Sequence, residues 1–365
     1  MTTRRFALPE GHLLPNSYAL VTCTSCGMVY GDTSADQATY DRYYADASKY
    51  SGVGTGLSAT DADRFAGLAA EIACHFDQQA RIADVGSGNG GLVRALQSIG
   101  FVNAIGIDPS RECAALLGVA GRVGSLWDMS AVAGHVDCLV LSHVLEHVRD
   151  VRRAVDAMAA AAPAVYVEVP DAKRYAECLV APYQDLNVEH INHFSLASLS
   201  NALAAGGFRV RASGHKTIAS SPGMPYPAVW ALGRIDRAVK GIAFDHDTVR
   251  AIRDYLARSR IELDRVDAKL RRSLRTGDDI VIWGTGQTVL TTWPETVLRE
   301  CRVHAFIDSS PLYHGRALGG VQVVEPEALH RYPYPVVIGS VIHEAAIRAR
   351  IASLGAPNVL ISLAG

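Results

Sequence analysis

The 365-residue sequence lacks any apolar run long enough to cross a bilayer. A membrane helix needs about 20 apolar residues. The most hydrophobic stretch, AMAAAAPAVYVEV at 157–169, is broken by Pro163 and Glu168. The opening residues carry Arg4 and Arg5 with no continuous apolar segment behind them, so no signal peptide is expected. Charge of one sign is also scarce. The 35 Lys and Arg nearly balance 37 Asp and Glu, leaving −2, and no basic, aromatic-studded face stands out. That argues against nucleic acid or a membrane surface as partner. Cysteine is sparse and odd in number, seven in all. This argues against a disulfide framework, and the expected location is the cytoplasm. Low-complexity tracts and short-period repeats are missing. What remains, 49% hydrophobic and 20% charged, suits a globular protein with substantial cores. The length suggests two or three domains.

From residue 61 the pattern alternates strand and helix. RIADVG, NAIGID, DCLVLS and AVYVEVP are short apolar runs bounded by Gly, Asp or Pro. They read as buried parallel strands. GLVRALQSIG and RECAALLGVAG read as helices between them. This predicts an α/β fold with a doubly wound, Rossmann-like core over 61–215. SLASLSNALAAGGF gives a further helix, capped near Ser195 or Ser198 and closed at Gly206 and Gly207. Residues 1–60 read as a small N-terminal segment, with one CxxC at Cys23 and Cys26. Residues 216–276 read as a linker and a connecting helix, whose Val249, Ile252, Leu256, Leu263, Val266, Leu270 and Leu274 share one face. A second Rossmann-like unit follows over 277–365.

Two glycine-rich turns stand out. In IADVGSGNGG a strand ends at Asp84, and Gly86, Gly88 and Gly90 alternate with Ser87 and Asn89 before a helix. Glycine permits positive φ and close backbone approach to a ligand. Asp108 ends the next strand, where a carboxylate can bind the two hydroxyls of a ribose. The spacing is tighter than the dinucleotide GxGxxG. The second turn, WGTGQTVL with Gly284, Gly286 and Asp308, lacks a third glycine. A packing or substrate-docking role fits it, and a nicotinamide cofactor is the rival that it leaves open. NVEHINHFS packs Glu189, His190 and His193 into a short stretch after a strand end. A histidine with a carboxylate beside it suits general-base work near neutral pH. A metal site and an ordinary solvated loop are the other readings of this stretch. For Glu146 and His147 in HVLEH, a polar first helical turn is a simple structural reading.

The Asp84 to Gly90 turn with Asp108 resembles motif I of the class I S-adenosylmethionine-dependent methyltransferases. The resemblance implies that Asp84, Gly86, Ser87, Gly88, Asn89, Gly90 and Asp108 hold S-adenosylmethionine. It implies that Ser125 and Leu126, with Asp128, border the adenine, and that Ser142 and His143 lie beneath the cofactor. YVEVPD, then EHINHFS, then SLSNALAAGGF resemble the three-domain sugar C-methyltransferases, which act on nucleotide-linked keto-sugars. That family has a small zinc-binding N-terminal domain, a class I core and a C-terminal Rossmann-like domain that helps hold the nucleotide-sugar. The resemblance makes Glu189 and His190 the base. Tyr50 and Ser51 match the family's N-terminal lid, which puts Tyr50 beside the substrate; Asn192 and His193 are further substrate candidates, and His193 reads equally well as a residue that bonds locally within the loop. Two departures are visible: the family's two CxxC pairs are reduced to Cys23 and Cys26, so no zinc is expected, and Asn187 stands where the family often has tyrosine. The expected function is methylation of a small polar metabolite. O- or N-methylation of another acceptor, a nicotinamide-dependent oxidoreductase and a non-catalytic binding protein are the alternatives.

Overall fold

The computed structural model describes residues 1–47, 56–129, 132, 134–221, 224–236, 238 and 242–363. The chain divides into two units. The larger comprises Leu20–Cys178 and Glu189–Ile252, and the smaller Met1–Ala19, Leu179–Val188 and Arg253–Gly365.

The larger unit is built on a seven-stranded sheet. Its strands are β1 (Ile82–Val85), β2 (Ile105–Asp108), β3 (Gly121–Val123), β4 (Cys138–Ser142), β5 (Ala164–Pro170), β6 (Phe208–Ser221) and β7 (Met224–Ile235). The spatial order is β6-β7-β5-β4-β1-β2-β3. Strands β3 to β5 in that order are mutually parallel with β1 and β2, while β7 runs antiparallel to β5 and β6. The apolar runs are buried on both faces, as a covered parallel sheet requires. Val85, Leu139, Leu141, Val165 and Val167 face one core, while Ile82, Val140, Tyr166 and Leu232 face another. Each fully buried Val, Leu or Ile contributes roughly 1.5–3 kcal/mol. The chain direction across the sheet reverses between β1 and β4, the switch point at which open α/β sheets bind ligands.

The sheet exceeds the expectation at one end. Residues 215–245, whose glycine and prolines read from sequence as loop with short elements, hold most of a long hairpin. Pro225 and Pro227 in β7 suggested loop. They pair with Ala219 and Thr217 of β6, and the pairing of β7 with β5 begins only at Ala228 opposite Pro170. Their missing N–H groups therefore leave the β5 ladder intact. The helix expected over RECAALLGVAG is shorter, at Arg111–Ala115. Helix Leu196–Ala205 starts at Ser195, whose side chain forms a reciprocal capping box with Ser198.

In the smaller unit, strands β8 (Asp279–Trp283), β9 (Arg302–Ile307), β10 (Ala317–Leu318), β11 (Val321–Val324), β12 (Val336–Ile338) and β13 (Leu360–Ser362) form a sheet of order β10-β11-β9-β8-β12-β13. All its pairings are parallel except β10 with β11. This is the second α/β unit that the sequence suggested. Val266, Leu270 and Leu274 of the predicted helical face pack into its core. Helix His246–Ser273 carries that face as far as Leu270, and Leu274 follows directly after its end. Among the described residues no helix is long and apolar enough to cross a membrane.

Candidate active site

A cavity of about 520 Å³ opens at the carboxyl ends of β1, β2 and β4. That volume lies in the range of small-molecule sites. The glycine turn forms one wall. Gly86, Gly88 and Gly90 have φ of 75°, 51° and 77°, a region that other residues enter at a cost. Space matters too at Gly90, where a Cβ would come 2.4 Å from Leu117 Cδ2.

Asp84 and Asp108 both line the cavity and both are buried. Burial, and then the nearby charge of Asp108, pushes the Asp84 carboxyl up to about 7, against an opposing pull from Arg64. Burial also raises Asp108, countered by backbone N–H donors. Gly88 N donates to Asp108 Oδ2 at 2.8 Å and Ser110 N to Oδ1 at 2.9 Å. Asp108 thus fixes the turn, and each carboxylate oxygen retains capacity for a further donor. Ser87, Asn89, Ser125 and Leu126 line the same cavity, as do Ser142 and His143. Trp127 lines it as well, with its indole Nε1 donating to Asp41 Oδ1 at 2.8 Å.

His143 departs from ordinary geometry. Its φ is 57°, rare for a residue with a Cβ. The ring is held between two buried carboxylates, with Nδ1 3.2 Å from Glu146 Oε1 and Nε2 3.3 Å from Glu168 Oε1. Burial opposes the charged ring, yet hydrogen bonds to Glu146 and Glu168 outweigh it and raise His143 to about 9. Burial likewise opposes the Glu168 anion, but His143 and Lys216 bring it down to about 2. Lys216 also donates to Glu71 at 2.7 Å, and Tyr166 OH donates to the same oxygen at 2.7 Å.

The EHINH segment is tied against the end of β4. Ile191 N donates to Glu146 O at 2.9 Å, and Gly31 N donates to Ile191 O at 2.7 Å. Tyr43 OH donates to Glu189 Oε1 at 2.7 Å. His147 Nδ1 lies 3.0 Å from Glu189 O and 2.9 Å from Tyr44 OH, and the His147 and His190 rings meet edge to face at 4.8 Å. His147 and Tyr44 line the cavity, so Glu189 and His190 join it through them. Glu146, His147 and His190 each offer a donor atom within 4.8 Å of the others, a set that suits a divalent cation. Among the described residues no such group includes Cys23 or Cys26.

Asn192 and His193 fit the substrate role poorly. They form a two-residue strand paired antiparallel with Val29 and Tyr30, and both are buried. The Asn192 amide donates to Leu145 O and Val148 O at 3.0 and 2.6 Å. His193 is fully buried beneath Tyr175, whose OH is 3.4 Å from Nδ1. Both residues anchor the loop. Tyr50, with Ser51, lies outside the described residues. Tyr43 and Tyr44, which open the stretch YYADASKYSG that the sequence likens to the family's lid but were given no role of their own, sit in a π-helical turn, Tyr43–Ala47, a feature common at functional sites. The doubled tyrosine in DRYYADA was the available signal.

Residues 60–213 match the family described as "Methyltransferase domain". This part of the chain is an S-adenosylmethionine-dependent methyltransferase domain. The cavity fits the donor, with a carboxylate at each of two strand ends and a turn whose glycines leave the backbone bare. No curated protein matches the chain. Among solved structures, magnesium protoporphyrin IX methyltransferase from Synechocystis PCC 6803, with bound SAH, is 14% identical over 55% of this chain and 100% of its own, at a TM-score of 0.41. A possible histamine N-methyltransferase from Thermotoga maritima is 17% identical over 48% and 91%, at 0.37. An S-adenosylmethionine-dependent methyltransferase from Mesorhizobium loti is 18% identical over 47% and 99%, at 0.38.

The second glycine turn, in the smaller unit, is organised differently. Asp308 Oδ2 accepts from Thr285 N at 2.9 Å and Thr285 Oγ1 at 2.7 Å, and Oδ1 accepts from Ser310 N at 2.9 Å. The acid that would hold a nicotinamide ribose already takes three donors from its own turn.

Proposed function

We propose that this methyltransferase acts at carbon on a small keto-sugar carried by a nucleotide, with Glu189 and His190 as its base. The observation that carries the reading is the hydrogen-bonded group at the cavity edge, in which Tyr43 donates to the Glu189 carboxylate and the His190 ring packs on cavity-lining His147. S-adenosylmethionine, when bound, supplies a methyl group already activated for displacement. The protein's remaining task is to raise the electron density of the acceptor. A carbon next to a carbonyl becomes nucleophilic once its proton is removed. His190 takes that proton, and Glu189 stabilises the resulting imidazolium, while Tyr43 restrains the carboxylate. Asp108 receives the ribose hydroxyls, and Asp84 faces the cationic end of the donor.

Methyl-¹³C-labelled S-adenosylmethionine with nucleotide-linked 4-keto-sugars, followed by carbon NMR, tests the acceptor. A carbon-bound methyl signal is expected, and an oxygen-bound one would refute the enolate. The base is tested by His190→Ala. Turnover should fall about 10²- to 10⁴-fold, the usual contribution of a general base, with S-adenosylhomocysteine affinity nearly unchanged. Undiminished turnover would remove His190 from the mechanism.

A further inference from the structure

The methyl donor ends in an amino acid, so its site must meet a carboxylate as well as an ammonium and a sulfonium. Asp84 and Asp108 complement positive charge and ribose hydroxyls. Neither serves the carboxylate. Among the described residues lining the cavity, Arg64 is the one lysine or arginine. His143 carries positive charge there too, but both its ring nitrogens are directed at glutamates.

Arg64 lies on helix Ala59–Ala73. Its guanidinium carbon sits 4.3 Å from the centroid of the Phe65 ring. That ring presses against Gly91, where a Cβ would meet Phe65 Cε2 at 2.3 Å. Gly91 opens the helix that directly follows the glycine turn. Arg64 is thereby held beside the turn, and its charge reaches Asp84 at the end of β1. Among the described residues no carboxylate approaches Arg64 within ion-pair distance. A cation stacked on an aromatic ring, facing a ligand cavity without an anionic partner, is prepared for an anion brought by the ligand.

We infer that Arg64 is the carboxylate clamp of the methyl donor. It pairs with Asp84 to read the zwitterionic amino-acid end, one residue for each charge. The fork of the guanidinium matches a carboxylate with two parallel hydrogen bonds. Stacking on Phe65 fixes the fork before the donor arrives.

Two ligands separate this role from any other. S-adenosylhomocysteine has the amino-acid end, and 5′-methylthioadenosine has the same nucleoside without it. Calorimetric titration of the full chain with both, for the unmodified protein, Arg64→Gln and Arg64→Lys, is the test. Arg64→Gln should weaken S-adenosylhomocysteine by about 10- to 100-fold, the usual worth of a charge-assisted hydrogen bond, and leave methylthioadenosine within about twofold. Arg64→Lys should recover part of the loss. Unchanged S-adenosylhomocysteine affinity would overturn the inference. So would an equal loss for both ligands, which would mark Arg64 as structural. A rise in acceptor KM with donor binding intact would overturn it as well, by assigning the charge to the acceptor. If the unmodified protein bound neither nucleoside, the cofactor reading itself would fail.

Discussion

Replacing His193 with glutamine separates an anchoring role from a substrate-binding one. The ring is fully buried, and burial alone lowers His193 to about 3. Its Nε2 has no hydrogen-bond partner. In the unfolded chain the same ring titrates near 6.5. Above about pH 6.5 it is neutral in both states and contributes nothing to pH dependence. Below that value the unfolded chain takes up a proton that the folded protein refuses, so stability falls as pH falls. Each unit costs about 1.4 kcal/mol. The loss is therefore about 2 kcal/mol at pH 5, and it continues until the folded-state pKa near 3 is reached. Glutamine keeps a polar side chain but cannot titrate. Urea unfolding at pH 8, 6 and 5 should show the variant losing about 2 kcal/mol less than the unmodified protein between pH 8 and 5. Turnover at pH 8 should survive in the folded variant. Identical pH slopes would refute the burial argument. A turnover collapse at full stability would restore His193 to the substrate site.

Two further outcomes follow from residues that support the cavity. Gly90→Ala forces a Cβ into φ 77° and within 2.4 Å of Leu117 Cδ2. Backbone strain of about 1–2 kcal/mol and overpacking of about 1–3 kcal/mol should together lower stability by roughly 2–5 kcal/mol, read from the denaturant midpoint. A change below about 1 kcal/mol would mean that Leu117 swings away freely. Glu168→Gln removes one of the two anions that hold His143 at about 9. The ring should titrate lower by NMR. Its raised pKa stabilises the fold below about pH 6.5 and loses that effect as pH rises through 9, so the deficit of the variant should shrink toward alkaline pH. An unmoved titration would refute the pairing with Glu168.

The glycine turn was legible because three local requirements coincide in one short stretch. A buried strand carries Asp84 and ends at Val85, three glycines take positive φ, and a helix begins at Gly91. Each can be read from neighbouring residues alone. Asp108 was legible for a similar reason, since parallel strands bring successive strand ends to one edge of the sheet. The hairpin of β6 and β7 was not. Its register is set by pairing with β5, and the prolines that suggest a loop are harmless only because β5 stops short of them.

The same distinction explains the site around EHINH. The sequence marks a histidine and carboxylate cluster but not which members face inward. Pairing of Asn192 and His193 with Tyr30 and Val29 decides that, by committing these two to a strand. Strand side chains alternate in direction, and the strand is closed over by Tyr175 and the carbonyls of Leu145 and Val148. Glu189 and His190 precede the strand and escape that constraint, which leaves them to meet Tyr43 and His147 at the cavity edge. A position one residue earlier or later would exchange anchor for functional group. Long-range pairing therefore selects the candidate chemistry from a cluster that composition alone presents as equivalent.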